Sequence, residues 1–503
     1  MKNIYFLFLC LFLSSCVQKY KDVDTFELED GQQNFAIPLI NTTISIEDAI
    51  NDLDHSYLNI DDENFITIVY FDSIESLKAN EIVTLPDFTI PAFDTVTIIP
   101  IDNNLLPIDL DLIKFKAGEI QISFESAHNE DLDIEFQINN LTKDGSVFTF
   151  QKHLNAAGSP PFVVNENVAL EDYDLDFQSN QFVISYSSKN NMGEHRPLNN
   201  IIFLFQNLDF KFVQGYFGQH IFDLALDTLV IDLFDQSISG SIEIEDAKLR
   251  LIATNSIGIP SKITSDFFEA ESPTQGVINF TSTLDQGVDI EYPTLNEIGT
   301  AKTTTISFEN SNSNLSTLIN SNPSELRYQL AAFINPDDDP NQRGFLQDDS
   351  ELKLNLEVEV PLWIKVNEFT LEDTVEFDLD IIDKIKEAEF KLRIDNGLPV
   401  SVEIQLFFQN SSGEIIDSLF SLESNLFEAG MMDNDGRVIA STLGEQIVNF
   451  PSERISRLTD ATNIIVRGLL STAEINGVGS KFYTDYEITF QLGIKALVML
   501  EDE

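Results

Sequence analysis

The stretch that decides the fold runs from Asp373 to Gly413. It reads Asp373-Thr374-Val375, Asp378-Leu379-Asp380, then Ala388-Glu389-Phe390-Lys391-Leu392-Arg393-Ile394. A turn follows at Asn396-Gly397-Leu398-Pro399, and a second alternating run, Val402 to Phe407, leads to Ser411-Ser412-Gly413. Apolar and polar residues that alternate on both sides of an Asn/Gly/Pro turn specify two half-buried strands. The pattern recurs upstream. Asp227-Thr228-Leu229 leads to Ala247-Lys248-Leu249-Arg250-Leu251, then Asn255 and Pro260. Asp94-Thr95-Val96 leads to Asp109-Leu110-Asp111, then Glu119 to Phe124. Glu135-Phe136-Gln137-Ile138 matches Glu403-Ile404-Gln405-Leu406 at a constant offset.

The repeat starts lie a whole domain apart, too far for a solenoid with a period of roughly 20–50 residues. The expectation is a mainly β chain of three tandem, diverged, β-sandwich-like repeats with a few short helices, elongated overall. The expected divisions are 36–215, 216–350 and 351–503. The segments 310–322 and 335–350 are read as polar connections between the second and third. Helices are expected from Ser45 to about Leu53, from Asp380 to Ala388, and from Pro323 to Phe333 with Asn322 as N-cap. Lys143-Asp144-Gly145, Asn434-Asp435-Gly436 and Asn476-Gly477 read as hairpin turns.

The chain opens Met1-Lys2-Asn3, then an apolar run from Ile4 to Leu13, then Ser14-Ser15-Cys16. A basic start, a short apolar core and small residues before a cysteine make a secretory signal over 1–15. The core is shorter than the about 20 residues of a membrane-spanning helix. Leu13-Ser14-Ser15-Cys16 resembles a bacterial lipobox. The resemblance implies cleavage before Cys16 and lipidation of that residue, with 16–35 as a polar tether. Gln18-Lys19 resembles the export signal of surface lipoproteins of Bacteroidota, although Tyr20-Lys21 interrupts the expected acidic pair. The implied place is the outer membrane, on its periplasmic or cell-surface face.

Cys10 and Cys16 are the two cysteines, so the body after Cys16 has no thiol for a disulfide, zinc site or nucleophile. The 84 acidic residues against 29 basic give a formal charge of −55. Nucleic acid is therefore excluded as an expected partner, because phosphate binding needs a basic surface. Hydrophobic content of 43% and 40 Phe argue for packed cores rather than disorder.

The order strand, Asn/Pro turn, strand resembles the repeat of late-embryogenesis-abundant type 14 proteins, which implies β-sandwiches without catalytic sites. It also looks loosely like tubular lipid-binding domains. The likeness rests on Asn396 with Pro399 and Asn255 with Pro260. The first repeat departs from it, with Asn129 and no Pro.

Asp followed by Thr or Ser and an aliphatic residue resembles the O-glycosylation signal of Bacteroidota. That marks Thr95, Thr228, Thr374, Ser73 and Ser418 as candidate acceptors, against the plainer reading of strand entries with local hydrogen bonds. Asp337, Asp338, Asp339, Asp433 and Asp435 cluster oxygen ligands suited to calcium, in turns that are also ordinary for so acidic a chain. No other cofactor is expected. His55, His128, His153, His195 and His220 show no zinc spacing, and no nucleophile elbow, P-loop or dinucleotide fingerprint is present. Trp363 is read as core, and Gly215-Tyr216-Phe217-Gly218 as a hairpin packed on a sheet. These observations lead to an expectation of a lipid-anchored, non-catalytic envelope protein, structural or binding a protein partner. The alternative is a carrier whose Phe-rich domains enclose a hydrophobic ligand.

Overall fold

The structure is a computed structural model that describes residues 31–47, 58–100, 109–178, 181–231, 241–377, 385–420, 426–473 and 479–500. Alternation dictates the strands. Val400, Val402, Ile404, Leu406 and Phe408 are all buried along Val400–Asn410, while the residues between them are not. The same period of two runs through Gln181–Asn190, Glu325–Ile334 and Glu351–Pro361.

Three two-sheet units result, with one strand order. In the terminal sandwich, one sheet runs Gly31–Ser45, Glu487–Leu500, Ile385–Asn396, Thr442–Phe450. Its partner sheet runs Phe369–Glu376, Ala461–Thr472, Val400–Asn410, Ile415–Ser418. The middle sandwich repeats this with Ile66–Lys78, Glu351–Pro361, Lys248–Asn255, Lys302–Phe308 facing Asp227–Val230, Glu325–Ile334, Ser261–Ser272, Gly276–Asn279. The inserted sandwich repeats it with Phe88–Ala92, Asn199–Tyr216, Asp109–Ser126, Phe162–Ala169 facing Val96–Pro100, Gln181–Asn190, Leu132–Lys143, Ser146–Leu154. There the short strand Asp174–Asp176 pairs with both sheets and merges them into one 10-stranded sheet.

The three units are nested. The leading strand of the terminal and of the middle sandwich comes from far upstream of the rest, whereas that of the inserted one does not. Gly31–Ser45 pairs with Glu487–Leu500, and Ile66–Lys78 pairs with Glu351–Pro361. The division 36–215 therefore holds strands of all three sandwiches, and the sheets do not follow the contiguous divisions. The two segments read as connections also belong to the fold. Residues 310–322 contain the helix Leu315–Ile319, whose Leu315, Leu318 and Ile319 are buried. Within 335–350, Gly344–Gln347 is a strand with Phe345 and Leu346 buried.

The helix expected over 323–333 is instead the strand Glu325–Ile334. Leu326, Tyr328 and Leu330 alternate inward, and burial at period two overrides the capping signal at Asn322. Ile385–Asn396 is strand where the end of a helix was expected, and residues 378–384 lie outside the described residues. Ile46 and Glu47 are helical, and the rest of that expected helix lies outside too, as does Asn476-Gly477. The Lys143 turn is as expected: Asp144 and Gly145 both take positive φ between paired strands.

Each sandwich turns from its first sheet to its second at a buried polar residue. Asn396 Oδ1 accepts from the Leu398 amide at 3.0 Å, and Asn255 Oδ1 from the Ile257 amide at 2.9 Å. In the inserted sandwich Ser126 stands at the same place, its Oγ accepting from the His128 amide at 3.2 Å. The first repeat, where Asn129 stands as the turn residue in sequence, thus makes its turn bond from Ser126 instead.

Both junctions are spanned by strand pairing. Ser241–Ile244 of the middle sandwich pairs with Trp363–Asn367, which also pairs with Ser480–Lys481 of the terminal one. Trp363 is half-buried here rather than core, its indole N–H donating to the Gly479 carbonyl and Lys481 lying 4.9 Å from its ring. At the other junction, Gly344–Gln347 pairs with Phe212–Gly215 of the inserted sandwich. Arg343 beside it clasps Asp111 at 2.9 and 2.6 Å and Asp109 at 3.0 Å. Those carboxylates, Asp111 first, hold the guanidinium pKa above its ordinary value. Arg343→Met should loosen this junction by about 2 kcal/mol, the scale of charge-assisted hydrogen bonds. Faster amide exchange over 344–347 and 212–215, with the terminal sandwich unchanged, is the expected readout.

Candidate binding surface

The inner faces are filled by aromatic rings that meet across the sheets. Phe124 lies 5.4 Å from Phe136, Phe136 5.4 Å from Phe203, and Phe88 6.1 Å from Phe182 in the inserted sandwich. Phe280 meets Phe308 at 5.4 Å in the middle sandwich, and Phe390 meets Phe408 at 5.9 Å in the terminal one. Tyr328 donates to Asp72 at 2.5 Å across the middle sandwich, and burial raises its pKa. A depression of about 400 Å³ is lined by Glu387, Glu389, Asn449, Phe450 and Lys495 of the terminal sandwich. Glu389 there pairs with Asn449 and Lys495 on the outer face of the sheet, whereas its neighbour Phe390 points inward.

The unusual surface is the edge of the second sheet that is open among the described residues. In the inserted sandwich, Thr97 is turned inward. Its hydroxyl accepts from the Phe93 and Asp94 amides at 3.0 and 3.2 Å. Because side chains alternate, Val96 and Ile98 must then face out, opposite Ser185 and Val183. They are 56% and 57% exposed, and Phe93 in the turn just before the strand is 74% exposed. The middle sandwich also shows apolar residues along this edge, with Ile221, Leu226 and Val230 exposed. The terminal sandwich does not: Thr374 and Glu376 are exposed on the corresponding strand, and Glu372 there pairs with Arg467. In the middle and terminal units, Thr228 and Thr374 occupy the outward positions. In the inserted unit the facing is shifted by one residue, which turns its aliphatic residues to water.

Cys16 lies outside the described residues. Thr95, Thr228, Thr374 and Ser73 are exposed, whereas Ser418 is half-buried and donates to the Phe420 carbonyl at 3.0 Å. Beside it, Arg454 holds Asp417 at 3.0 Å and lies over the Phe450 ring. Asp433 Oδ1 accepts from the amides of Asp435 and Arg437, and Asp339 Oδ1 from the amide of Asn341. Asp338 accepts from the Tyr216 hydroxyl and Phe217 is buried, so the Gly215–Gly218 phrase is packed, but it links strands of two sandwiches rather than forming a hairpin. Asp337 is exposed in the same loop. Among the described residues no three His, Cys, Asp or Glu side chains gather to hold a metal. His153 pairs with Asp133 at 2.7 Å, which raises its pKa, and His128 and His220 contact backbone carbonyls.

No family model and no curated protein matches the chain. Among solved structures it is similar to a protein of Parabacteroides distasonis ATCC 8503 predicted to be secreted. Identity is 12% over 92% of this chain and 99% of that one, with a TM-score of 0.32. Infectious bursal virus derived T=1 particles match at 8% identity over 80% and 75%, TM-score 0.16. An archaeal virus protein of triple jelly roll fold matches at 11% identity over 91% and 95%, TM-score 0.11. At these TM-scores the likenesses carry no functional argument, and the reading of function rests on the chain's own residues.

Proposed function

We propose that the protein is a lipid-anchored, non-catalytic scaffold of the cell envelope. Its outward-facing apolar edges pair with an extended, basic segment of a partner protein. The observation that carries this reading is the reversed facing of Val96 and Ile98 on an edge that is unpaired among the described residues, with Phe93 beside them. Such edges template added strands, and most proteins blunt them with charge. A formal charge of −55 repels a second copy and attracts a basic partner. Lipid anchoring is supported by Leu13-Ser14-Ser15-Cys16. The carrier alternative has no such support, since rings of opposite sheets already meet in all three sandwiches.

The test uses a photo-crosslinking residue at position 98 or 374 of the full chain in its native cells. A partner is expected to crosslink from position 98 and not from 374. Equal yields from both sites would defeat the edge assignment. Native mass spectrometry of residues 17–503 is expected to show no bound lipid, and a stoichiometric lipid would promote the carrier.

A further inference from the structure

We infer that the anchored molecule stands with its inserted sandwich outermost, so that the terminal sandwich faces the lipid surface and the inserted one meets the partner. The inference rests on lipidation of Cys16, and the nested topology supplies the direction. Gly31 is paired with Leu500, and Ser45 with Glu487. The Ser45 end abuts the middle sandwich, because the Ile46 amide donates to the Tyr486 carbonyl and Phe65 bridges to Tyr483. Gly31 therefore lies at the end of the terminal sandwich away from the other two. The strand Ile66–Lys78 carries the chain further in the same sense. Ile66 bonds Phe482 and Leu362 at the terminal junction, while Ala79, just past Lys78, bonds Ser350 near the inserted sandwich. In the inserted sandwich Asp109 lies beside Tyr216 at the junction, and Ser126 ends the same strand at the far tip. The loops 127–131, 155–161 and 191–198 close that tip.

Distance and charge then separate the two ends. The chain from Cys16 to Gly31 reaches at most about 50 Å when fully extended. Ile66–Lys78 and Asp109–Ser126 are 13 and 18 residues long. At about 3.3 Å per residue each covers roughly 40–60 Å, so the two strides together exceed the tether. A body of formal charge −55 is also repelled by an anionic leaflet, which opposes lying flat on it. The orientation puts Phe93, Val96 and Ile98 on the sandwich furthest from the lipid.

The absence of any thiol after Cys16 makes a clean test available. Met192, 77% exposed, sits in a tip loop, and Ser412 is exposed in the hairpin at the anchor end of the terminal sandwich. The Met192→Cys and Ser412→Cys variants of the full lipidated chain are each labelled with a donor dye. They are then reconstituted in phosphatidylcholine–phosphatidylglycerol vesicles that carry an acceptor on the headgroups. Flotation with the vesicles is scored first, and failure to float overturns the anchoring reading itself. In floating protein, transfer is expected from position 412 and only background from 192. Equal transfer from both, or more from 192, would overturn the orientation while leaving the anchor intact.

Discussion

Expressed alone, residues 363–500 are expected not to fold, whereas residues 86–216 are expected to fold cooperatively. The terminal sandwich without Gly31–Ser45 exposes the whole edge of Glu487–Leu500. It also loses buried Ile44 and Ile46 and the packing of Ile37, Leu39 and Ile40. At about 1.5–3 kcal/mol per buried aliphatic side chain, the loss is roughly 5 kcal/mol or more. A domain has about 5–15 kcal/mol in total. The inserted sandwich carries its own leading strand, Phe88–Ala92, and loses the four-residue strand Gly344–Gln347 with the surface bonds of Arg343 and Asp338 beside it. Circular dichroism and urea unfolding of the two fragments check this. Adding a peptide of residues 31–47 to the first should restore a cooperative transition. A fragment 363–500 that unfolds cooperatively without the peptide would show that the leading strand is dispensable.

That nesting was not legible in the sequence, and the reason is physical. Alternation reveals which residues face inward, so Val400 to Asn410 or Gln181 to Asn190 could be read as strands directly. Which strand lies beside which is decided by packing between residues hundreds of positions apart. Ile44 opposite Ile488 leaves no local trace. The Asp-Thr starts and the two Asn turns were legible because they are local devices, and each Asp-Thr start falls at the edge strand of a different sandwich. In the first repeat the sequence misplaces the turn residue to Asn129, because Ser126 makes the same bond from a different side chain. The acidic segment 335–350 misled for the opposite reason. Its charges read as solvated linker, but Arg343 and Phe345 within it join two sandwiches. The candidate edge was equally obscure. Asp94-Thr95-Val96 looks like its two counterparts, and only the inward turn of Thr97 reverses its facing.

Asn396→Ala is expected to destabilise the terminal sandwich by about 3–5 kcal/mol, the largest effect of any single side chain at the three turns. Asn396 is fully buried. Its Oδ1 accepts from the Leu398 amide at 3.0 Å, and its Nδ2 donates to the Val400 and Glu428 carbonyls at 2.8 and 3.0 Å. Alanine leaves one amide and two carbonyls without these partners, each costing about 1–3 kcal/mol when buried. The equivalent residues make fewer bonds. Asn255 serves the Ile257 amide and the Glu291 carbonyl, and Ser126 serves the His128 amide. Replacement by alanine should therefore cost about 2–3 kcal/mol at Asn255 and about 1 kcal/mol at Ser126. Asn396→Ser keeps the turn bond that Ser126 makes and loses both donations, so it should recover part of the loss and no more. Hydrogen exchange of the full mature chain, read separately over 400–410, 261–272 and 132–143, resolves the three sandwiches in one experiment. Equal effects at the three positions, or full rescue by serine at 396, would mean that the turn bond alone matters and that the two donations of Asn396 do not.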